Sequence, residues 1–156
     1  MAIRNIIKEG DEILAKKCRP VEKFDQKLVT LLEDMAETMA SAGGVGLAAP
    51  QVGILRRAVV IDVGEGLIEL VNPRIVSHEG EQQEVEGCLS CPGEYGITTR
   101  PAKVTVEAQD RSGETIQVQG EGLLARALCH ELDHLDGVLF KDHVVRMLSP
   151  EELEEE

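Results

Sequence analysis

The segment from Glu121 to Asp136 constrains this chain more than any other: Leu123, Ala127, His130 and His134 recur on one helical stripe, and Gly137 stands where the helix would stop. Within it, His130-Glu131-Leu132-Asp133-His134 writes H-E-x-x-H. On a helix, imidazoles four residues apart point to the same side and can share a metal ion. Glu131 lies beside them, close enough to reach a bound water without being a ligand, which suits a general base. The competing reading is a pair of surface histidines on an amphipathic helix. Both fall on the apolar stripe rather than the solvent face, which argues against it. Two histidines leave a metal site incomplete, so the rest of the fold must supply what is missing.

Elsewhere the periodicity is mixed. Leu28, Leu31, Leu32, Met35 and Met39 predict a helix from Asp25 to Met39, stopped by Gly43-Gly44. Ala58 to Ile61 and Leu67 to Val71 read as strands separated by Gly64 and Gly66. Val104, Val106 and Ala108 alternate with polar residues, and Ile116 and Val118 resume the alternation after a turn at Asp110 to Gly113, which predicts a β-hairpin. Helix, strands, then helix argues for an α+β fold, with short strands in antiparallel sheets packed around the C-terminal H-E-x-x-H helix. No repeat or linker divides the chain, so residues 1–148 read as one domain. Ser149-Pro150-Glu151-Glu152 has the form of a capping box, but the glutamates after it offer little to bury, and residues 149–156 are expected to be a frayed acidic tail.

Composition narrows the function classes. With one Tyr, two Phe and no Trp, the core must be aliphatic, and platforms for stacking bases are scarce. A formal charge of -13 without any Lys/Arg run repels phosphate backbones, so direct nucleic-acid binding is not expected. The N-terminal segment lacks the apolar stretch of a signal peptide and no segment is long enough for a membrane helix, which points to a cytoplasmic protein. In that compartment Cys18, Cys88, Cys91 and Cys129 are expected as thiols or metal ligands, not disulfides.

Candidates for the third ligand can be tested against the sequence. The pattern H-E-x-x-H-x-x-G-x-x-H matches through Gly137 but would need histidine where Phe140 stands. A downstream glutamate ligand would have to come from Glu151 to Glu156, where no apolar pattern fixes the chain. Cysteine thiolate is the better candidate, and Cys88 lies in Glu86-Gly87-Cys88-Leu89-Ser90. A buried structural thiol at Cys88 remains an equal alternative on these residues alone.

Three segments taken together resemble the signature motifs of the peptide deformylases: Gly44-Val45-Gly46-Leu47-Ala48-Ala49-Pro50-Gln51, Glu86-Gly87-Cys88-Leu89-Ser90 and His130-Glu131-Leu132-Asp133-His134. Their order and spacing agree, and the resemblance runs from Ile13-Leu14 through Phe140. It implies hydrolysis of the N-formyl group from the initiator methionine of new polypeptides, with release of formate. Cys88, His130 and His134 would then hold one divalent metal, Fe2+ by resemblance, with Zn2+, Ni2+ or Co2+ as substitutes. Glu131 would carry the proton, while the Gln51 side-chain amide and the Leu89 backbone N–H would stabilise the oxyanion. By the same resemblance an extended N-formylmethionyl peptide lies along Val45-Gly46 and Glu86-Gly87, its methionine near Leu123 and Ala127. Glu86 and Arg100 match a pair that braces the metal-bearing loop, although such a pair exposed on the surface would contribute little.

Other features depart from that pattern. Cys91 and Cys129 stand where the family more often has an aliphatic residue and a glutamine, and are expected as small buried thiols. With the two histidines, Cys88 and Cys91 also write C-x2-C and H-x3-H, the ligand set of a closed structural zinc site, which is the non-enzymatic alternative. A metalloprotease acting on internal peptide bonds is a third reading. Transient ribosome association is a further partner implied by the family, but the basic C-terminal docking helix of its longer members has no counterpart in this acidic end. His78 and His143 match no motif and are expected to be exposed or locally hydrogen-bonded.

Overall fold

The structure is a computed structural model that describes residues 2–154. Helix α1 spans Gln26–Ser41, and Asp25 caps it by accepting the Leu28 N–H at 3.2 Å. Seven strands follow: β1 Gly46–Ala48, β2 Ala58–Ile61, β3 Ile68–Glu79, β4 Gln82–Cys88, β5 Cys91–Arg100, β6 Lys103–Gln109 and β7 Thr115–Glu121. Helix α2, Gly122–Leu135, begins directly where β7 ends, and strand β8, Val144–Met147, precedes the short helix α3, Pro150–Glu154. All strand pairs are antiparallel, in one sheet ordered β1-β2-β3-β6-β7 and a second ordered β4-β5-β8. The α+β expectation holds.

The apolar run of β2 is explained by what covers it. Successive side chains of a strand face opposite ways. Val59 and Ile61 join the cluster of Leu128, Leu132 and Leu135 from α2, while Ala58 and Val60 join Leu28, Leu32, Met35 and Met39 from α1. Helix α2 thus lies against the first sheet with Ala125, Leu128, Leu132 and Leu135 buried while Leu123 at its start stays exposed, and it also touches β5 of the second. It ends at Gly137, whose φ of +77° is a left-handed conformation that suits glycine at a helix terminus.

Two expectations need correction. The strand expected to end at Val71 continues to Glu79, because a register shift between Val71 and Arg74 absorbs Asn72, at φ +50°, and Pro73 without ending the pairing with β6. The expected frayed tail includes a helical turn instead. Ser149 Oγ accepts the Glu152 N–H at 3.3 Å, Glu152 Oε1 accepts the Ser149 N–H at 3.2 Å, and Arg146 pairs with Glu152 at 2.7 Å. Reciprocal capping and a cross-element ion pair do here what apolar burial does not. Glu155 and Glu156 lie outside the described residues. Among the described residues no helix is long and apolar enough to cross a membrane.

Candidate metal centre

The last two turns of α2 place His130, Glu131 and His134 in the interior, at 7%, 4% and 1% exposure. Cys88 approaches them from the end of β4. The ligand atoms of Cys88, His130 and His134 lie within 4.8 Å of one another, with His134 Nε2 at 3.3 Å from His130 Nε2 and 3.4 Å from Cys88 Sγ. Cys91 groups instead with Glu9 and Glu94, so the four-ligand closed site expected as the alternative is not assembled.

The surroundings of these atoms set their roles. Glu86 is buried and accepts a hydrogen bond from His130 Nδ1 at 2.7 Å. That bond holds a ring proton at Nδ1 and turns toward His134 and Cys88 the Nε2 nitrogen, which a metal would take in place of its proton. Arg100 grips Glu86 through Nε at 3.1 Å and Nη2 at 2.7 Å, Thr98 Oγ1 donates to it at 2.9 Å, and Arg100 Nη1 reaches Asp133 at 2.7 Å. The Glu86–Arg100 pair is therefore a buried bidentate bridge, not a surface ion pair. Burial opposes ionisation of Glu86, but the bonds from His130 and Arg100 prevail and hold its carboxyl at about 2. Phe140 stacks on the His130 ring at 6.1 Å between centroids, packing the imidazole where a third histidine would otherwise have stood.

Electrostatics test whether this cluster suits a metal. Cys88 is held as a thiolate, first by the hydrogen bond from Cys91 and then, against the cost of burial, by His130 and His134. Burial disfavours charge on His130, yet Glu131, Cys88 and Glu86 raise its proton affinity well above that of a free imidazole. A buried cluster that draws protons this strongly is short of positive charge. One sulfur and two imidazole nitrogens with converging lone pairs form a donor set that a divalent transition metal satisfies. His134 Nδ1 is buried without a partner among the described residues, which leaves its Nε2 as the inward-facing donor atom.

Glu131 stands beside this cluster, Oε2 at 4.0 Å from His130 Nε2, while Oε1 is buried without a partner among the described residues. Burial lifts its carboxyl to about 6, with the two imidazoles pulling the other way. Gly46 proves necessary for a reason the sequence did not show: a Cβ there would strike the Glu131 carboxylate. Gln51 is also buried, its orientation fixed because Oε1 accepts the Ala48 N–H at 2.9 Å. Its Nε2 then points to Ser90 Oγ at 3.1 Å and Cys88 Sγ at 3.5 Å. The Leu89 N–H donates to no backbone carbonyl among the described residues.

Val45, Gly46, Glu86, Gly87, Leu89, Leu123 and Ala127 all line one cavity of about 440 Å³ with Cys88, His130 and Glu131 in its wall. Strands β1 and β4 are each the last strand of their sheet, so their unpaired edges border this space. The Glu86 carboxylate itself is engaged by His130 and Arg100. Thr98, Asp133, Ser90 and Phe140 were not singled out as site residues from the sequence, since their contacts join segments far apart in the chain. An open cleft of about 1240 Å³ beside α1 contains none of these groups.

Comparison with known proteins identifies the family. The family model described as polypeptide deformylase matches residues 3–149. The chain belongs to the polypeptide deformylase family. A peptide deformylase of Caldanaerobacter subterraneus is 62% identical over 99% of this chain and 97% of its own length. That of Acetivibrio thermocellus is 60% identical over 99% and 91%. The crystal structure of a peptide deformylase from Legionella pneumophila superposes with a TM-score of 0.89 at 50% identity, covering 99% of this chain and 90% of that one. Deformylases are hydrolases that use a divalent metal to remove the N-formyl group from nascent polypeptides, and this chain is an enzyme of that family.

Proposed function

We propose that this deformylase acts on the N-formylmethionyl end of new polypeptides in the cytoplasm, through a metal centre built on Cys88, His130 and His134, with residues 1–148 as its catalytic domain. The observation that carries the reading is the convergence of these three ligand atoms beside a buried carboxylate with a free oxygen. We assign the native ion as Fe2+, with Zn2+, Ni2+ or Co2+ able to replace it. When bound, the ion supplies Lewis acidity that lowers the pKa of a water toward neutrality.

The chain's own groups do the rest. Glu131 accepts the proton of the attacking water at a carboxylate oxygen and passes it to the departing amine nitrogen, without which that nitrogen is a poor leaving group. A carboxyl lifted to about 6 by burial suits both tasks. The Gln51 amide and the Leu89 N–H meet the oxyanion that develops on the formyl oxygen, and because Ala48 locks the Gln51 amide in place, little reorganisation is needed. Glu86 and Arg100 hold the His130 ring. The formylated peptide lies extended between the free edges of β1 and β4, using backbone at Val45, Gly46 and Gly87, and its methionine side chain fills the space beside Leu123 and Ala127. The ribosome is a further, transient partner that we propose from the family resemblance.

Metal analysis of C88S, H130A and H134A beside C91S tests the ligand set. The first three should lose the ion and C91S should keep it. The substrate class is tested by offering formylated and acetylated forms of one peptide. Release from the formylated form alone supports this reading, and cleavage of internal peptide bonds would replace it with a protease.

A further inference from the structure

The turn Cys88-Leu89-Ser90-Cys91 carries a second thiol for which the proposed reaction has no use. Cys88 and Cys91 are partners across the two-residue turn that joins β4 to β5, beyond a register shift after Gly87, so their side chains leave the turn on the same face. A four-residue turn brings its first and last Cα atoms within about 7 Å, close to the roughly 4.4–6.8 Å that a disulfide spans. The Cys91 S–H donates to Glu9 Oε2 at 3.0 Å, and Lys141 bridges Glu9 and Glu94 at 2.8 Å to each. Cys88 lines the cavity and is open to a small oxidant, whereas Cys91 is buried behind it at 1% exposure. Cys18 and Cys129 belong to the apolar cluster under α2 and have no such access.

We infer that Cys88 and Cys91 form an oxidisable dithiol, which hydrogen peroxide converts to an intramolecular disulfide that withdraws Cys88 from the metal centre and a dithiol reductant restores. The inference rests on the reading of Cys88 as a ligand. In the first step the Cys88 thiolate attacks one peroxide oxygen, the O–O bond breaks, and a sulfenic acid forms with release of hydroxide. That hydroxide takes the Cys91 proton and becomes water. The Cys91 thiolate then attacks the Cys88 sulfur, the S–S bond forms, the S–O bond breaks, and a second hydroxide leaves. Each sulfur gives up one electron, and the peroxide is reduced to one water and one hydroxide.

The test uses the enzyme loaded with Zn2+, an ion without redox chemistry of its own. Excess peroxide is added, remaining thiols are alkylated, and peptide masses, bound metal and formate release are measured before and after dithiothreitol with fresh Zn2+. The wild type should yield a Cys88–Cys91 peptide lighter by two hydrogens, lose metal and activity together, and regain both on reduction. In C91S the same treatment should drive Cys88 on to sulfinic and sulfonic acids, and reduction should recover little. No lighter peptide from the wild type, or equal recovery by C91S, overturns the inference and leaves the ligand reading intact. A disulfide that forms while metal and activity stay unchanged overturns the ligand reading instead.

Discussion

Helix α2 and strand β2 meet across an apolar seam of Val59, Ile61, Leu128, Leu132 and Leu135, whereas β4 and β5, which carry Cys88 and Glu86, have few residues in either apolar cluster. The second region is held to the first by a buried polar network, Glu86 to Arg100, Thr98 and His130, with Arg100 reaching on to Asp133 of α2. Each half of the metal centre is therefore positioned by a different kind of force. Hydrophobic burial fixes where the histidines are, and directional hydrogen bonds fix where the thiolate strand and the His130 ring point relative to them. Burial tolerates small adjustments of side-chain shape, while a network of buried charges tolerates no missing member.

The sharpest way to break the comparison is Glu86→Ala. It strands the Arg100 guanidinium in the interior and frees the His130 ring, so folding should weaken by about 3–5 kcal/mol and metal affinity should fall by about 10- to 100-fold. Urea unfolding and competition with a chelator measure the two effects. A variant that kept wild-type metal affinity would show the network to be ornamental. Leu128→Ala, fully buried on the apolar side of α2, should cost about 3 kcal/mol of stability yet leave metal affinity in the folded protein close to wild type. If its affinity fell as far as that of Glu86→Ala, the two kinds of support would not be separable.

Gly46→Ala addresses the seam between the halves. Its Cβ displaces the Glu131 carboxylate, and a misplacement of that size should lower kcat by about 100-fold with the metal retained. Unchanged kcat would mean that Glu131 moves aside without consequence. The smallest effect is expected with acid. Because the folded-state pKa of Glu86 is depressed to about 2, its stabilising contribution is complete above the ordinary glutamate value and is lost as pH falls from there toward 2. Metal-stripped wild type should therefore lose stability over that window more steeply than metal-stripped Glu86→Gln. Parallel curves would assign the acid sensitivity to other carboxylates.

The same contrast explains what could be read from the sequence. Apolar periodicity announced α1, α2, β2 and the β6–β7 hairpin, since those elements bury a face. Strands β4, β5 and β8 have no such face, and Gln82-Gln83-Glu84 or Gly93-Glu94-Tyr95 carry no alternation to detect. The convergence of Cys88, His130 and His134 was foreseeable because their motifs are local and resemble those of a family. The buried state of Glu86 and Arg100, the Thr98 hydroxyl that supports them and the clearance that Gly46 gives Glu131 are relations between distant segments. Each exists only once two sheets have closed on one helix.

The central claim is that Glu131 moves the proton in a centre whose metal is held by other residues. Formate release from formyl-Met-Ala-Ser by metal-analysed wild type and Glu131→Gln tests it most directly. The wild type should release formate, and the variant should carry the same metal content while releasing almost none. A fully metallated variant as fast as the wild type would contradict the role of Glu131, and a fully metallated wild type that releases no formate would contradict the proposed activity itself.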